Sequence, residues 1–394
     1  MGERNLDFDT VINRKGTKCL KHDFAKQRGI PEDNLSMWVA DMDFKVSSYI
    51  EDALVAQAKH AVYGYTDIDA DYLEPVKHWV KKHYGWDVKD EWYHKSPGVV
   101  FGISTAVRAY TEKGDAVLIQ QPVYYPFAGV IRDNERKLVV NNLVYDGDGH
   151  YSIDYEDFEN KIVDNDVKLF ILCNPHNPVG KVWGQEELKR LGDICKKHGV
   201  IVFADEIHAD FVWKGSHHSF VTVDESFGEF SVVATSPSKT FNIAGLQVSN
   251  LFIPNKELFG KFKAAFDATG YCEFNAAGII AAEAAYKHGE EWYQAMKKYV
   301  RANIDYIGEF VAERLPGVRF IDPEGTYLVW LDFNGLGLSR KELDEFIIHK
   351  AGLWLDSGWI FGAAGDGFQR INAACPRQTV TECLERIEKA LRES

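Results

Sequence analysis

Ser231-Val232-Val233-Ala234-Thr235-Ser236-Pro237-Ser238-Lys239-Thr240-Phe241-Asn242 begins as an unbroken small or apolar run, then meets a proline and presents a lysine among hydroxyl residues. Lysines mostly sit on solvated faces, where their charge costs little. A run such as Ser231 to Thr235 has the pattern of an inner strand of a parallel sheet, covered on both faces. Lys239 therefore stands at the carboxyl end of a buried strand. It is either an ordinary turn residue or an amine placed there for chemistry.

Outward from this stretch, the same pattern recurs. Residues 116 to 119, 168 to 172 and 200 to 204 read as further buried strands. Gln185 to His198 shows helical spacing between two of them, with Leu188, Leu191 and Cys195 on one side. Strand, helix and strand at this spacing imply an α/β fold with a mostly parallel central sheet and right-handed crossovers. The last hundred residues differ. A long helical stretch ends near Leu315, Gly325 to Leu331 reads as a strand, 340 to 351 as a helix and 380 to 391 as an amphipathic helix. The expected division is a large domain over 46–288 and a smaller α+β domain formed by 1–45 with 289–394. Its boundary falls inside a long helix near residue 290.

Bulk properties narrow the function. The chain has 394 residues, 45% apolar and 26% charged, with a net charge of −14, which is a soluble globular composition. That charge speaks against a nucleic-acid partner, which needs a basic surface. Cys19, Cys173, Cys195, Cys272, Cys375 and Cys383 form no regular framework and read as reduced thiols. No stretch approaches the length of a membrane span, and MGERNLDFDT carries no apolar signal region. A cytoplasmic protein is expected.

In an open parallel sheet, ligands bind beyond the carboxyl ends of the strands. Those ends are followed here by Pro122-Val123-Tyr124-Tyr125-Pro126, by Asn174-Pro175-His176-Asn177-Pro178-Val179-Gly180, by Asp205-Glu206-Ile207-His208 and by Ser236-Pro237-Ser238-Lys239. Pro97-Gly98-Val99-Val100 leads into a helical run. An aromatic ring, an amide, a carboxylate, a primary amine and a glycine-led helix N-terminus suit one small molecule, pyridoxal 5'-phosphate. Its aldehyde needs a lysine, its ring nitrogen an acid, its phenolic oxygen a donor and its phosphate backbone N–H groups.

The motifs NPHNPVG, ADEIHADF, SPSKTFNIAG and GFQRINAAC resemble those of fold-type I pyridoxal-phosphate enzymes of the class I/II aminotransferase superfamily. WVADMDF, YGYTD, PVYYPF and DEIHADF are most similar to cystathionine β-lyases (C–S lyases) of the MalY/PatB type. The resemblance runs from Trp38 to Cys375. It implies an aspartate aminotransferase-like fold, with a large cofactor domain and a smaller one. Lys239 would form the imine with the cofactor and later move the substrate Cα proton. Asp205 would face the ring nitrogen; such an ion pair is worth about 4 kcal/mol before desolvation at about 4 Å. Tyr124 would stack on the ring, while Tyr125, by alternation, would turn towards the core. Asn177 and His208 would touch the phenolic oxygen. Gly98, Val99, Val100, Ser236 and Ser238 would hold the phosphate, joined by Tyr65 from the neighbouring subunit of a homodimer. Arg370 would clamp the substrate α-carboxylate, with Asn177 and Ala40 beside it.

Each residue also has a plainer reading: Asp205 as a helix cap, Asn177 as a turn former, His208 as a core histidine and Arg370 as half of a surface ion pair. His208, His217 and His218 lack a trustworthy metal-ligand spacing, and no metal is expected. Two departures from the wider superfamily stand out. Gln247 occupies the place of a phosphate-binding arginine, and His208 that of a tyrosine. Both lean towards α,β-elimination of L-cystathionine or related cysteine S-conjugates to a thiol, pyruvate and ammonia. The alternatives are an aminotransferase and a regulatory protein that binds a transcription activator.

Overall fold

The structure, a computed structural model, describes residues 2–393. Its main sheet has eight strands in the order Tyr93–Ser96, Ser249–Phe252, Ser231–Thr235, Ile201–Asp205, Val167–Cys173, Ala116–Gln121, Lys137–Tyr145 and Tyr151–Ile153. The five strands from Ser231–Thr235 to Lys137–Tyr145 are mutually parallel, and the outer neighbours pair antiparallel. The inner strands are mostly apolar because both faces are covered. Within Val167–Cys173, Phe170 and Leu172 pack into one core cluster and Leu169, Ile171 and Cys173 into another, as alternation requires.

The helix Gln185–Lys197 buries Leu188, Leu191, Ile194 and Cys195. Its start is fixed by Glu187, whose carboxylate accepts from the Gly184 N–H at 2.8 Å. Acidic residues fill its first turn and lysines its last, matching the helix dipole.

A second, antiparallel sheet runs in the order Arg319–Ile321, Leu328–Asp332, Phe368–Asn372 and Asp356–Ser357. Three sequence expectations are corrected here. The point placed inside one long helix is a junction between Ala276–His288 and Glu290–Arg314, at Gly289. A Cβ at Gly289 would lie 2.5 Å from both the Ala285 carbonyl and the Phe241 ring, so only glycine fits. The strand expected from Gly325 starts only at Leu328, because Thr326 takes a left-handed φ of 66°. The expected helix over 340–351 is α-helical only over Arg340–Glu345 and widens to a π-helical turn over Phe346–Lys350.

The N-terminal segment is tied to the rest of the chain at two places. Leu35–Ser36 pairs in parallel with Leu353–Trp354, while Glu3 accepts from Ser47 and Ser48.

Candidate active site

The strands Ala116–Gln121 and Val167–Cys173 are neighbours whose next strands lie in opposite directions along the sheet. Such a switch point opens a crevice at the strands' carboxyl ends. Here the two loops lock together: the Tyr124 N–H donates to the Asn177 carbonyl at 3.0 Å. Beside them lies a cavity of about 180 Å³, lined among others by Ala40, Gly98, Tyr124, Asp205, His208 and Lys239. A larger hollow of about 750 Å³ near Leu338, Phe346 and Leu391 is lined by exposed charges such as Lys341, Glu342 and Glu345 rather than by buried polar groups.

Lys239 lies in the short helix Pro237–Thr240, directly after its strand, and is half-buried. Its Nζ donates to the Ala40 carbonyl at 2.8 Å. Burial pulls the amine down to about 8; Arg370 pushes the same way, while Asp41 and Asp205 oppose it.

Asp205 ends the strand Ile201–Asp205 and is 4% exposed. One carboxylate oxygen accepts from the Ile207 N–H at 3.1 Å. Burial raises its pKa to about 7, helped by Glu206 and opposed by the Ile207 N–H and Lys239. The carboxyl is thus set up to receive a cation.

His208 is buried with its ring edge-on to Tyr327 at 5.8 Å. Burial, Lys239 and Arg370 all hold the imidazole neutral, and its Nδ1 has no protein partner. A buried ring nitrogen without a partner is costly, and His208 lines the cavity.

The helix Val99–Tyr110 begins at the cavity with Gly98 as its cap. The amides at Gly98, Val99 and Val100 have no partner within the helix and suit an anion. Ser238 lines the same end.

Arg370 arrives from the second sheet and is 2% exposed. Its guanidinium donates to the Asn177 side-chain carbonyl at 2.8 Å and to the Trp38 carbonyl at 2.9 Å. It also pairs with the buried Asp356 carboxylate, its register partner on the adjacent strand. Nε remains without a partner. The surface ion pair considered from sequence is excluded by this burial.

Two expectations give way to geometry. The Ser236 hydroxyl donates to the Val248 carbonyl at 2.6 Å and accepts from the Ser238 N–H, capping the short helix rather than lining the cavity. Tyr125 is 39% exposed instead of turned to the core. The strand ends at Gln121, and Tyr125 is helical in backbone, so alternation no longer applies. Two others lie outside the cavity. Gln247 is exposed in a left-handed turn, with φ 54°. Tyr65 is 98% exposed, in a stretch without helix or strand.

Tyr327 and Asp356 lie outside the motifs, and Trp38, which opens WVADMDF, takes part through a backbone carbonyl that any residue type would carry. His217 bonds Glu206 at 3.0 Å, away from His208's free nitrogen. Among the described residues no group of histidine, cysteine or acidic side chains could hold a metal ion.

The residues present fit pyridoxal phosphate: an amine with lowered pKa, a carboxyl awaiting a cation, a neutral imidazole with an orphaned nitrogen and a free helix N-terminus. Comparison with known proteins agrees. The family model for aminotransferase class I and II matches residues 40–387. The chain is 41% identical to cystathionine β-lyase PatB of Bacillus subtilis, over 98% of this chain and 100% of that one. It is 31% identical to protein MalY of Escherichia coli, over 98% and 99%. Among solved structures, cystalysin from Treponema denticola, which contains a pyridoxal 5'-phosphate cofactor, superposes with a TM-score of 0.94 at 38% identity, covering 98% and 99%. The pyridoxal-phosphate-bound C–S lyase from Staphylococcus hominis superposes with a TM-score of 0.90 at 35% identity, covering 98% of each chain.

Proposed function

The chain belongs to the aminotransferase class I and II family, and we infer that within it the protein is a pyridoxal-phosphate-dependent carbon–sulfur β-lyase. Its substrates are L-cystathionine or related cysteine S-conjugates, and its products a thiol, pyruvate and ammonia. The observation that carries this reading is the meeting of Lys239, Asp205 and Asn177 around one cavity, with Arg370 bonded to Asn177 behind it. The full-length similarity to proteins named as cystathionine β-lyases favours elimination over amino transfer.

Bound pyridoxal phosphate supplies the electron sink that lets the substrate Cα lose its proton. The rest is done by this chain. Asp205 would keep a negative charge towards the ring nitrogen. His208 and Asn177 would donate to the phenolic oxygen, Tyr124 would cover the ring, and Ser238 with the amides of Gly98, Val99 and Val100 would hold the phosphate. Arg370 orients the α-carboxylate. Lys239 Nζ takes the proton from Cα, and the β-thiolate departs with the C–S electron pair. Water then converts the released enamine to pyruvate and ammonia.

The reading extends to a cytoplasmic homodimer in which Tyr65 reaches the neighbouring phosphate; its full exposure beside the exposed Tyr63 and Val62 supports this. It also takes 46–288 as the cofactor domain and 1–45 with 289–394 as the smaller one, the site lying between them. Among the described residues no helix is long and apolar enough to cross a membrane.

The test is incubation of the cofactor-loaded protein with L-cystathionine and no keto acid. Pyruvate and free thiol should appear together. Turnover only when a keto acid is added would assign an aminotransferase instead. A Lys239→Ala variant should lose the visible imine band, and a wild-type protein without that band would end the reading.

A further inference from the structure

From Trp38 to Met42 the chain has neither helix nor strand, yet each of its successive carbonyls is taken by a side chain. Trp38 accepts from Arg370 at 2.9 Å, and Val39 and Asp41 from Asn372 at 2.7 and 2.6 Å. Met42 accepts from Asn242 at 3.1 Å. Ala40 accepts twice, from Lys239 Nζ and from the Tyr327 hydroxyl, each at 2.8 Å. Tyr327 itself is fully buried, with Phe211 edge-on at 4.7 Å and His208 at 5.8 Å.

We propose that the Ala40 carbonyl is the berth of the Lys239 amine whenever that amine is free, and that Tyr327 is the positioning residue that fixes the berth. The proposal rests on the β-lyase reading only for the moment at which Lys239 is free. A lysine released from its imine regains four flexible side-chain torsions, and ordering them is entropically expensive. One well-placed acceptor removes most of that search. As Nζ takes the Cα proton it becomes an ammonium, the electron pair staying on the substrate carbon. A buried ammonium needs an acceptor at that instant, and among the described residues Ala40 alone accepts from it. The carbonyl can serve only if it does not swing. Tyr327 holds it through the second lone pair, from a ring wedged against Phe211.

Tyr327→Phe keeps the ring and removes only the hydroxyl. Cofactor affinity and the imine band should stay as in the wild type, so the β-lyase reading remains separately visible. Thiol release from L-cystathionine should fall about 10- to 100-fold in kcat, the cost of a slightly misplaced group. KM should change little, and the isotope effect from Cα-deuterated substrate should rise, because proton removal becomes the slow step. A merely structural residue would lower thermal stability or cofactor binding without raising the isotope effect. A second measurement guards against a misfolded variant. Exogenous methylamine should restore turnover to Lys239→Ala with saturation, and Lys239→Ala combined with Tyr327→Phe should need far more amine. Wild-type kcat and isotope effect in Tyr327→Phe, equal amine saturation in both backgrounds, or loss of the imine band would each overturn the proposal.

Discussion

The Arg370 guanidinium donates to the Asn177 side-chain carbonyl at 2.8 Å, across 193 residues of sequence. This bond ties the second sheet to the loop that ends Val167–Cys173, so the proposed carboxylate clamp and the proposed cofactor contact move as one. Removing the guanidinium should therefore hurt recognition more than chemistry. Arg370→Ala is expected to raise KM for amino-acid substrates about 100-fold, a loss of about 3 kcal/mol from charge-assisted bonds. Arg370→Lys should recover little, because an ammonium cannot reproduce the planar fork. Steady-state kinetics with L-cystathionine check both, and an unchanged KM would remove Arg370 from substrate binding.

Asp205 makes a pH prediction with a definite sign. Its carboxyl sits near about 7 in the folded protein against an ordinary value of 3.8. Between those values the folded, cofactor-free chain holds a proton that the unfolded chain has lost. Stability therefore falls as pH rises through this window, and the full burden is present above it. Asp205→Asn should raise the melting midpoint of the cofactor-free protein at pH 8, by the equivalent of a few kcal/mol at most, about 1.4 for each tenfold change in proton affinity. Near pH 4 the two proteins should melt together. The same variant, once loaded, should lose most of its turnover, because no charge then opposes the ring nitrogen. Equal melting at both pH values would mean that Asp205 is not raised.

Tyr65 tests the proposed dimer. In its own subunit the side chain is 98% exposed and outside the cavity. If it serves the neighbouring site, Lys239→Ala and Tyr65→Ala proteins should each be poorly active alone. Mixed dimers made by refolding or co-expression then regain one intact site of two, and activity should approach about a quarter of wild type for random pairing. Mixing without recovery would place Tyr65 outside the partner's site.

How far the sequence discloses this site depends on what kind of atom acts. Lys239, Asp205, Asn177 and Tyr124 follow buried strands directly, so strand order and the carboxyl-edge rule locate them together. The strand Lys137–Tyr145 carries a weaker signal, because its paired asparagines interrupt the apolar run; Asn141 is buried with bonds to Gln120, Asp157 and the Asp154 carbonyl. Ala40 contributes a carbonyl, and any residue type would carry the same oxygen. Tyr327 and Asp356 depend on register between distant segments, which no local pattern encodes. Ser236 and Tyr125 were misplaced for the converse reason. The resemblance implied a phosphate contact for Ser236 and alternation a core direction for Tyr125, but a helix cap and the end of a strand decide their places.

The Asp356 carboxylate gives the last prediction. It is buried against Arg370, and burial raises its pKa while Arg370 and Arg28 oppose the rise. If Arg370 is the carboxylate clamp proposed above, an arriving substrate brings a second anion to the same guanidinium, with Asp356 as its internal rival. Asp356→Asn leaves Arg370 charged, buried and without a counterion in the empty site. Such broken pairs cost about 3 kcal/mol, and the melting midpoint of the loaded enzyme without substrate should drop accordingly. Propionate, a carboxylate with no amine to react, should then bind the variant about tenfold more tightly than the wild type, a gain of about 1.4 kcal/mol. It should also restore much of the lost stability. Calorimetry on the loaded proteins measures this directly. Weaker propionate binding in the variant would instead mean that Asp356 aims the guanidinium rather than competing for it.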